Sequence, residues 1–175
     1  MADNIKPATF NIRLSYLKAF FDWCISEGIL HQNPLSQFKK RKADGRVVNL
    51  DLETLKSLIS LPNVSTFAGL RDYALILINL DTGIRAKEAF SLLVDDINFR
   101  ALEVYVRSDI AKTKVARTLP ISPVTGTAIK NMIQSRHPSW KDSVPVFCTA
   151  EGTMFNNGTW GDRMKMYSKM FRGQY

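Results

Sequence analysis

Apolar residues in the first fifty positions recur at helical intervals. Phe10, Leu14, Leu17, Phe21 and Cys24 step by 4, 3, 4 and 3, which places them on one face of an α-helix. Tyr16, Phe20 and Trp23 form a second, adjacent row. The spacing predicts a helix running from an N-cap at Thr9 to about Glu27. Gly28 ends it, Asn33-Pro34 marks a turn, and a short second helix is expected around Leu35 to Phe38. Residues 1–8 are polar and hold Pro7, so they read as an arm ahead of the helix. An apolar surface this wide needs more than one neighbour, yet few elements precede residue 50.

Beyond residue 50 the periodicity changes several times. Asp51 is placed to cap a helix to about Ser60, with Leu52, Leu55, Leu58 and Ile59 inward. Leu61-Pro62-Asn63 stops it. An apolar helix follows over residues 67–80 and runs into Thr82-Gly83, where glycine allows a turn that a side chain would obstruct. The next helix is amphipathic, offering Ile84, Phe90, Leu92 and Leu93 to the core. Ile97 to Phe99 reads as a short strand, and Leu102 to Val106 alternates apolar and polar as a strand does. Val115 to Ile121 is its expected antiparallel partner. Pro123 opens a helix over residues 124–134 with Val124, Ala128, Ile129, Met132 and Ile133 inward. Val144 to Phe147 reads as a buried strand or extended segment, Gly152 to Gly158 as a loop. Trp160 to Phe171 is a last helix with Trp160, Met164, Tyr167 and Phe171 on one face. The pattern is that of an α+β protein, mainly helical, with a small antiparallel sheet.

Composition narrows the partner. The 175 residues carry 45% hydrophobic content, enough for one core of normal size and a small appendage. The formal charge is +8 and the pI about 9.6, which favours a polyanion over a small neutral or acidic metabolite. Residues 1–50 hold 8 basic and 4 acidic side chains, residues 51–100 hold 5 and 7, and residues 101–175 hold 11 and 5. The excess therefore flanks a slightly acidic middle. Lys39, Lys40, Arg41, Lys42 and Arg46 make a basic, non-periodic stretch that reads as an interdomain linker. Such a run is either a solvated loop or a set of phosphate contacts. Cys24 and Cys148 lie far apart among apolar neighbours and read as buried thiols in a reducing compartment. No run approaches the length of a membrane span, no signal-peptide core precedes the first helix, and neither His31 nor His137 has metal-site company. A soluble, intracellular protein is expected.

Arg85 stands out chemically. It lies three residues before Glu88 and so on the same side of a helix. An arginine fixed where two helices meet presents its planar donors either to a phosphate or to a buried carboxylate.

Four ordered segments carry a specific resemblance. Thr82-Gly83-Ile84-Arg85-x-x-Glu88-x-x-x-Leu92-x-x-x-Asp96-Ile97 resembles the first signature box of the tyrosine recombinase (phage integrase) family. Lys112-Thr113-Lys114-Val115-Ala116-Arg117-Thr118-Leu119-Pro120-Ile121 resembles that family's β-hairpin, whose lysine precedes an Arg-x-x-Pro ending. The first helix with Gly28-Ile29-Leu30 and Asn33-Pro34-Leu35 is similar to the close of the family's helical, SAM-like core-binding domain. Leu50-Asp51-Leu52-Glu53 matches the usual opening of its catalytic domain. Together these cover most of residues 9–150.

The resemblance implies a DNA breaking-rejoining fold divided as residues 1–38 (partial core-binding domain), 39–49 (basic linker) and 50–175 (catalytic domain). It implies an enzyme that cuts and rejoins double-stranded DNA through a 3′-phosphotyrosyl intermediate, with no metal or nucleotide cofactor. Arg85 would clamp the phosphate, Lys112 would be the general acid for the leaving 5′-oxygen, and Glu88 would orient Arg85 or buttress the site. For Glu88 the rival reading is an ordinary intrahelical ion pair. Lys114 competes with Lys112, since the two would point to one side of an extended strand. Lys39, Lys40, Arg41, Lys42, Arg46, Lys114 and Arg117 would contact the DNA backbone, Arg117 alternatively a neighbouring carboxylate.

The family's second box, His-x-x-Arg, occurs nowhere in the sequence. Tyr167 and Tyr175 fall before the point where that box should begin, so neither is expected to be the nucleophile. The chain is therefore expected to be a fragment cut at both ends, inactive by itself. Family members work as homotetramers on DNA; the fragment would be monomeric, cytoplasmic and nucleoid-associated, of bacterial or phage origin. The alternatives are a non-catalytic DNA-binding or recombinase-regulating protein derived from an integrase, and a helical protein–protein interaction module.

Overall fold

The computed structural model describes residues 5–43, 45 and 49–172. Arg46 and Tyr175 lie outside the described residues. Two compact units divide between Asn49 and Leu50.

In the first unit, helix α1 spans Pro7–Ser26. It starts two residues before the expected N-cap, because Pro7 takes the N1 position, where a locked φ and a missing N–H cost nothing. Gly28, at φ +70°, turns the chain after the helix, and the N–H groups of Ile29 and Leu30 both donate to the Cys24 carbonyl. The expected helix at Leu35 to Phe38 is only a turn. Asn33 accounts for this: its Oδ1 accepts the Leu35 N–H at 2.9 Å, and its Nδ2 donates to Asp22 Oδ1 at 2.6 Å and to the Lys18 carbonyl at 3.1 Å. Those bonds hold the turn against α1 instead of letting a helix continue. The basic stretch is also fixed to α1. Asn11 exchanges two 2.8 Å hydrogen bonds with the Arg41 backbone, and the Arg41 guanidinium lies 4.1 Å over the Phe10 ring, a cation–π contact. Leu14 and Cys24 are buried, whereas Leu17, Tyr16, Phe20 and Trp23 are exposed.

The second unit contains helices α2 (Leu52–Ser60), α3 (Phe67–Thr82), α4 (Ala86–Phe90), α5 (Pro123–Gln134) and α6 (Asn157–Arg172). Its strands are β1 (Ile97–Asn98), β2 (Glu103–Val106) and β3 (Arg117–Pro120), forming an antiparallel sheet in that order. Asp51 caps α2 by accepting the Thr54 N–H at 2.7 Å. Ser122 caps α5 through the Thr125 N–H at 3.2 Å, with Pro123 at the first turn. The core is shared by α3, the sheet, α5 and the segments after α4 and around residue 147: Leu75, Ile78, Leu92, Val104, Val106, Ile129, Met132 and Phe147 are fully buried. Leu52 and Val124, expected inward, are exposed. Each stands at the first turn of its helix. Residues 144–147 form no strand, but Val146 and Phe147 are buried and the Val146 N–H donates to the Leu92 carbonyl at 2.7 Å.

Two features of α3 fix its surroundings. A methyl group on Gly69 would collide with the Asn63 backbone carbonyl, so the loop before α3 packs directly on the helix. Gly69→Ala is expected to cost about 1–3 kcal/mol by overpacking, read as a lower urea midpoint with an unchanged slope. Deeper in, Asp72 is fully buried and binds three side chains. Its Oδ1 accepts Arg71 Nε and Nη2 at 3.1 and 2.9 Å. Its Oδ2 accepts the Tyr167 hydroxyl at 2.7 Å and Arg163 Nε. Arg71 also donates to the Cys148 carbonyl at 3.1 Å and stacks on Phe155. This network ties α6 to α3. Burial, followed by the bond to Asp72 and its negative charge, pushes the Tyr167 phenol up to about 12.

A candidate active-site cleft built on Glu88

The turn between α3 and α4 follows directly from Thr82-Gly83. Thr82 Oγ1 donates to the Ile78 carbonyl at 2.6 Å and accepts the Ile84 N–H at 3.1 Å. Gly83 takes the left-handed conformation, φ +62°, and its N–H closes onto the Asn79 carbonyl. The chain then reverses, buries Ile84, and sets Arg85 as the residue before α4 rather than within its first turn.

Glu88 is the centre of the site. It is 1% exposed, and an ionised carboxylate at such depth needs full compensation. Its Oε2 accepts the Arg85 N–H at 3.3 Å, half of a capping box, since a guanidinium has no acceptor to complete the other half. Its Oε1 accepts the Lys112 N–H at 3.0 Å. Arg117 grips both oxygens, Nη2 to Oε2 at 2.6 Å and Nη1 to Oε1 at 3.4 Å. The Arg85 guanidinium lies 3.5 Å from Oε1 with half of its side chain exposed. Burial pushes the Glu88 carboxyl up. The bonds from Arg117, the Lys112 N–H and the Arg85 N–H, together with the Arg117 charge, outweigh it and hold the group at about 2.

A carboxyl depressed in the folded state stabilises the fold above its ordinary value of 4.5, and that contribution is lost as pH falls towards 2. Glu88→Gln is therefore expected to flatten the acid limb of the stability profile, removing up to about 3 kcal/mol of its pH dependence. Urea titrations at stepped pH test this, and parallel profiles for the two proteins would refute it.

Around Glu88 opens a cleft of about 340 Å³ lined by Arg85, Lys87, Ser91, Asp109, Ile110, Ala111, Lys112 and Lys114. Four cations face two carboxylates there, and the Arg85, Lys112 and Lys114 side chains are solvent-accessible. Such a site can hold an oxyanion against planar and point charges. Lys112 and Lys114 do not share one side of an extended strand as the sequence suggests. Both sit in the β2–β3 loop, Lys114 in the left-handed region at φ +57°, its Nζ 3.4 Å from the Asp109 carbonyl. The structure thus separates the two lysines: Lys112 is tied to Glu88 through its backbone, and Lys114 turns back on its own loop.

Arg107 belongs to the same neighbourhood, although neither periodicity nor motif marks it in the sequence. Its Nη1 pairs with buried Asp96, its Nη2 donates to the Ser91 carbonyl at 3.3 Å, and its Nε lies 3.4 Å from Asp109 Oδ1. Position was the available signal, since Arg107 follows directly on the β2 strand, opposite the segment holding Asp96. His137 is exposed and bonded to Ser139. Among the described residues, no group of three or more His, Cys, Asp or Glu is placed to hold a metal. Among them too, no helix is long and apolar enough to cross a membrane. Lys39, Lys40 and Lys42 are exposed in the other unit.

In the second unit a mainly helical fold with a three-stranded antiparallel sheet brings Arg85 and Lys112, the latter on the β2–β3 loop, to one cleft around the buried Glu88. Residues 49–171 match the phage integrase family, and the chain belongs to it. It is 26% identical over 149 residues to the tyrosine recombinase XerC of Serratia marcescens, covering 85% of this chain and 48% of that protein. The fold is shared with the Tn1549 transposon integrase in complex with circular intermediate DNA, at TM-score 0.76 and 20% identity, over 98% of this chain and 60% of that one. It is also shared with a lambda integrase tetramer bound to a Holliday junction, at TM-score 0.70 and 16% identity, over 93% and 47%. The chain spans about half the length of the curated relatives it matches.

Proposed function

We propose that this chain supplies one half of the active site of a tyrosine site-specific recombinase acting on double-stranded DNA in the cytoplasm. The observation that carries the reading is Glu88, which is held by Arg117 and draws Arg85 and the Lys112 loop to one cationic cleft. In this reading the Arg85 guanidinium binds the non-bridging oxygens of the scissile phosphate, where negative charge builds up. Lys112 Nζ gives a proton to the departing 5′-oxygen, which leaves poorly as an alkoxide. Glu88 orients both. Residues 1–38 act as core-binding helices and residues 50–175 as catalytic domain, joined by a linker whose Lys39, Lys40, Arg41, Lys42 and Arg46 follow the backbone with Lys114. DNA-bound relatives support the polyanion, and the tetrameric lambda complex supports assembly of four subunits on DNA for the whole recombinase.

The 175 residues contain no His-x-x-Arg, and Tyr167 Oη is committed to Asp72. By itself the chain should therefore bind duplex DNA without cleaving it. Gel-shift titration should give binding that weakens with salt, log K falling by about 0.9 per phosphate contact per log unit of salt. Arg85→Ala should lower both the affinity and the slope. Absent or salt-independent binding removes the DNA reading, and a covalent adduct with a nicked suicide duplex removes the half-site reading.

A further inference from the structure

We propose that Arg117 is a positioning residue that acts on the phosphate cleft through Glu88, and that it does not itself contact DNA. This rests on the reading of the cleft as a phosphate site.

Arg117 belongs to β3, paired opposite Val106 of β2, so it stands where the β2–β3 loop returns to the sheet. Glu88 belongs to α4. The bidentate contact between them therefore joins the returning end of the loop to the helix that follows Arg85. Without Arg117, Glu88 would keep only two N–H donors and the long Arg85 contact, too little to compensate a carboxylate at 1% exposure. It would then take up a proton or swing towards water, and either change weakens its hold on the Lys112 N–H. Ala111 is buried just ahead of Lys112, but Thr113, Lys114 and Val115 after it are exposed. The loop's own bonds, from the Ala111 N–H to the Arg107 carbonyl and from the Lys114 N–H to the Ala111 carbonyl, shape the turn. The bond to Glu88 ties Lys112 to α4 in the cleft that Arg85 also lines. A guanidinium suits the task better than an ammonium, because its fork engages both carboxylate oxygens at once. With two of its nitrogens on Glu88 and about a third of its side chain accessible, Arg117 is poorly placed to grip a phosphate as well.

The test uses the full chain and two readouts. In Arg117→Gln, hydrogen exchange at the Lys112 amide is expected to speed up about ten- to a hundredfold, as for loss of a charge-assisted bond. The Ile129 and Met132 amides in α5 should keep wild-type rates. Arg117→Lys should restore part of the protection. The salt slope for binding a duplex oligonucleotide should match wild type, although affinity falls. An unchanged Lys112 amide overturns the proposal, as does acceleration that is equal at Ile129 and Met132. A salt slope lower by about one unit overturns it too, because that marks Arg117 as a phosphate contact. If the wild-type chain binds no DNA, the recombinase reading fails, while the exchange measurement still decides whether Arg117 fixes Lys112 through Glu88.

Discussion

Replacing Asp72 by Ala is expected to remove about 3–5 kcal/mol of stability, the cost of deleting one side of a buried ion pair and leaving the other charged. Asp72 pairs with Arg163, accepts the Tyr167 hydroxyl, and also neutralises Arg71. Removing it strands two guanidiniums and a hydroxyl between α3 and α6. Thermal unfolding followed by circular dichroism should show a midpoint lowered by roughly 10 °C. Tyr167→Phe leaves both ion pairs in place and should cost only about 1–3 kcal/mol. Equal losses in the two variants would mean that the hydroxyl, and not the charge, holds α6.

The second large effect is at Glu88. Glu88→Ala leaves Arg85, Arg117 and the Lys112 N–H converging on an empty position. The expected loss is again about 3–5 kcal/mol, since the arginines lose their counter-charge in a partly desolvated place. Arg117→Ala in the same chain should recover part of it, because the repulsion and the unpaired donors disappear together. A double-mutant cycle in urea gives the coupling directly, expected at about 1–3 kcal/mol for groups in contact. Additive losses would mean that the Glu88–Arg117 contact carries no net energy.

Much of this site was readable along the chain, and the unread part has a common physical character. Thr82-Gly83 announced the reversal before Arg85, and the spacing of Arg85 and Glu88 placed them together. Alternation located β2, β3 was expected as its antiparallel partner, and the stripe Trp160, Met164, Tyr167, Phe171 located the buried face of α6. Each of those signals is local, set by a few neighbouring residues. Asp72 with Arg163, Asp96 with Arg107, and Glu88 with Arg117 join residues 91, 11 and 29 positions apart. No periodicity carries that information, because each pairing is decided by which segments the core brings side by side. Helix α1 starts earlier than expected because Pro7 takes its first position. Helices α2, capped by Asp51, and α5, opened by Pro123, start as expected, and only their first-turn residues Leu52 and Val124 fall outside the buried stripe.

The β2–β3 loop has arginines at both ends, Arg107 on Asp96 and Arg117 on Glu88, with residues 108–116 between them. Lengthening a loop is thermodynamically cheap, since each doubling costs only about 0.6 kcal/mol in closure entropy. Extra residues could thus be spliced in on the Val115 side of Lys112 with little penalty, whereas one residue added between Arg107 and Lys112 would carry the Lys112 amide off Glu88. The loop is tolerant of insertion on one flank and intolerant on the other, a polarity that a library of single-residue insertions would map directly.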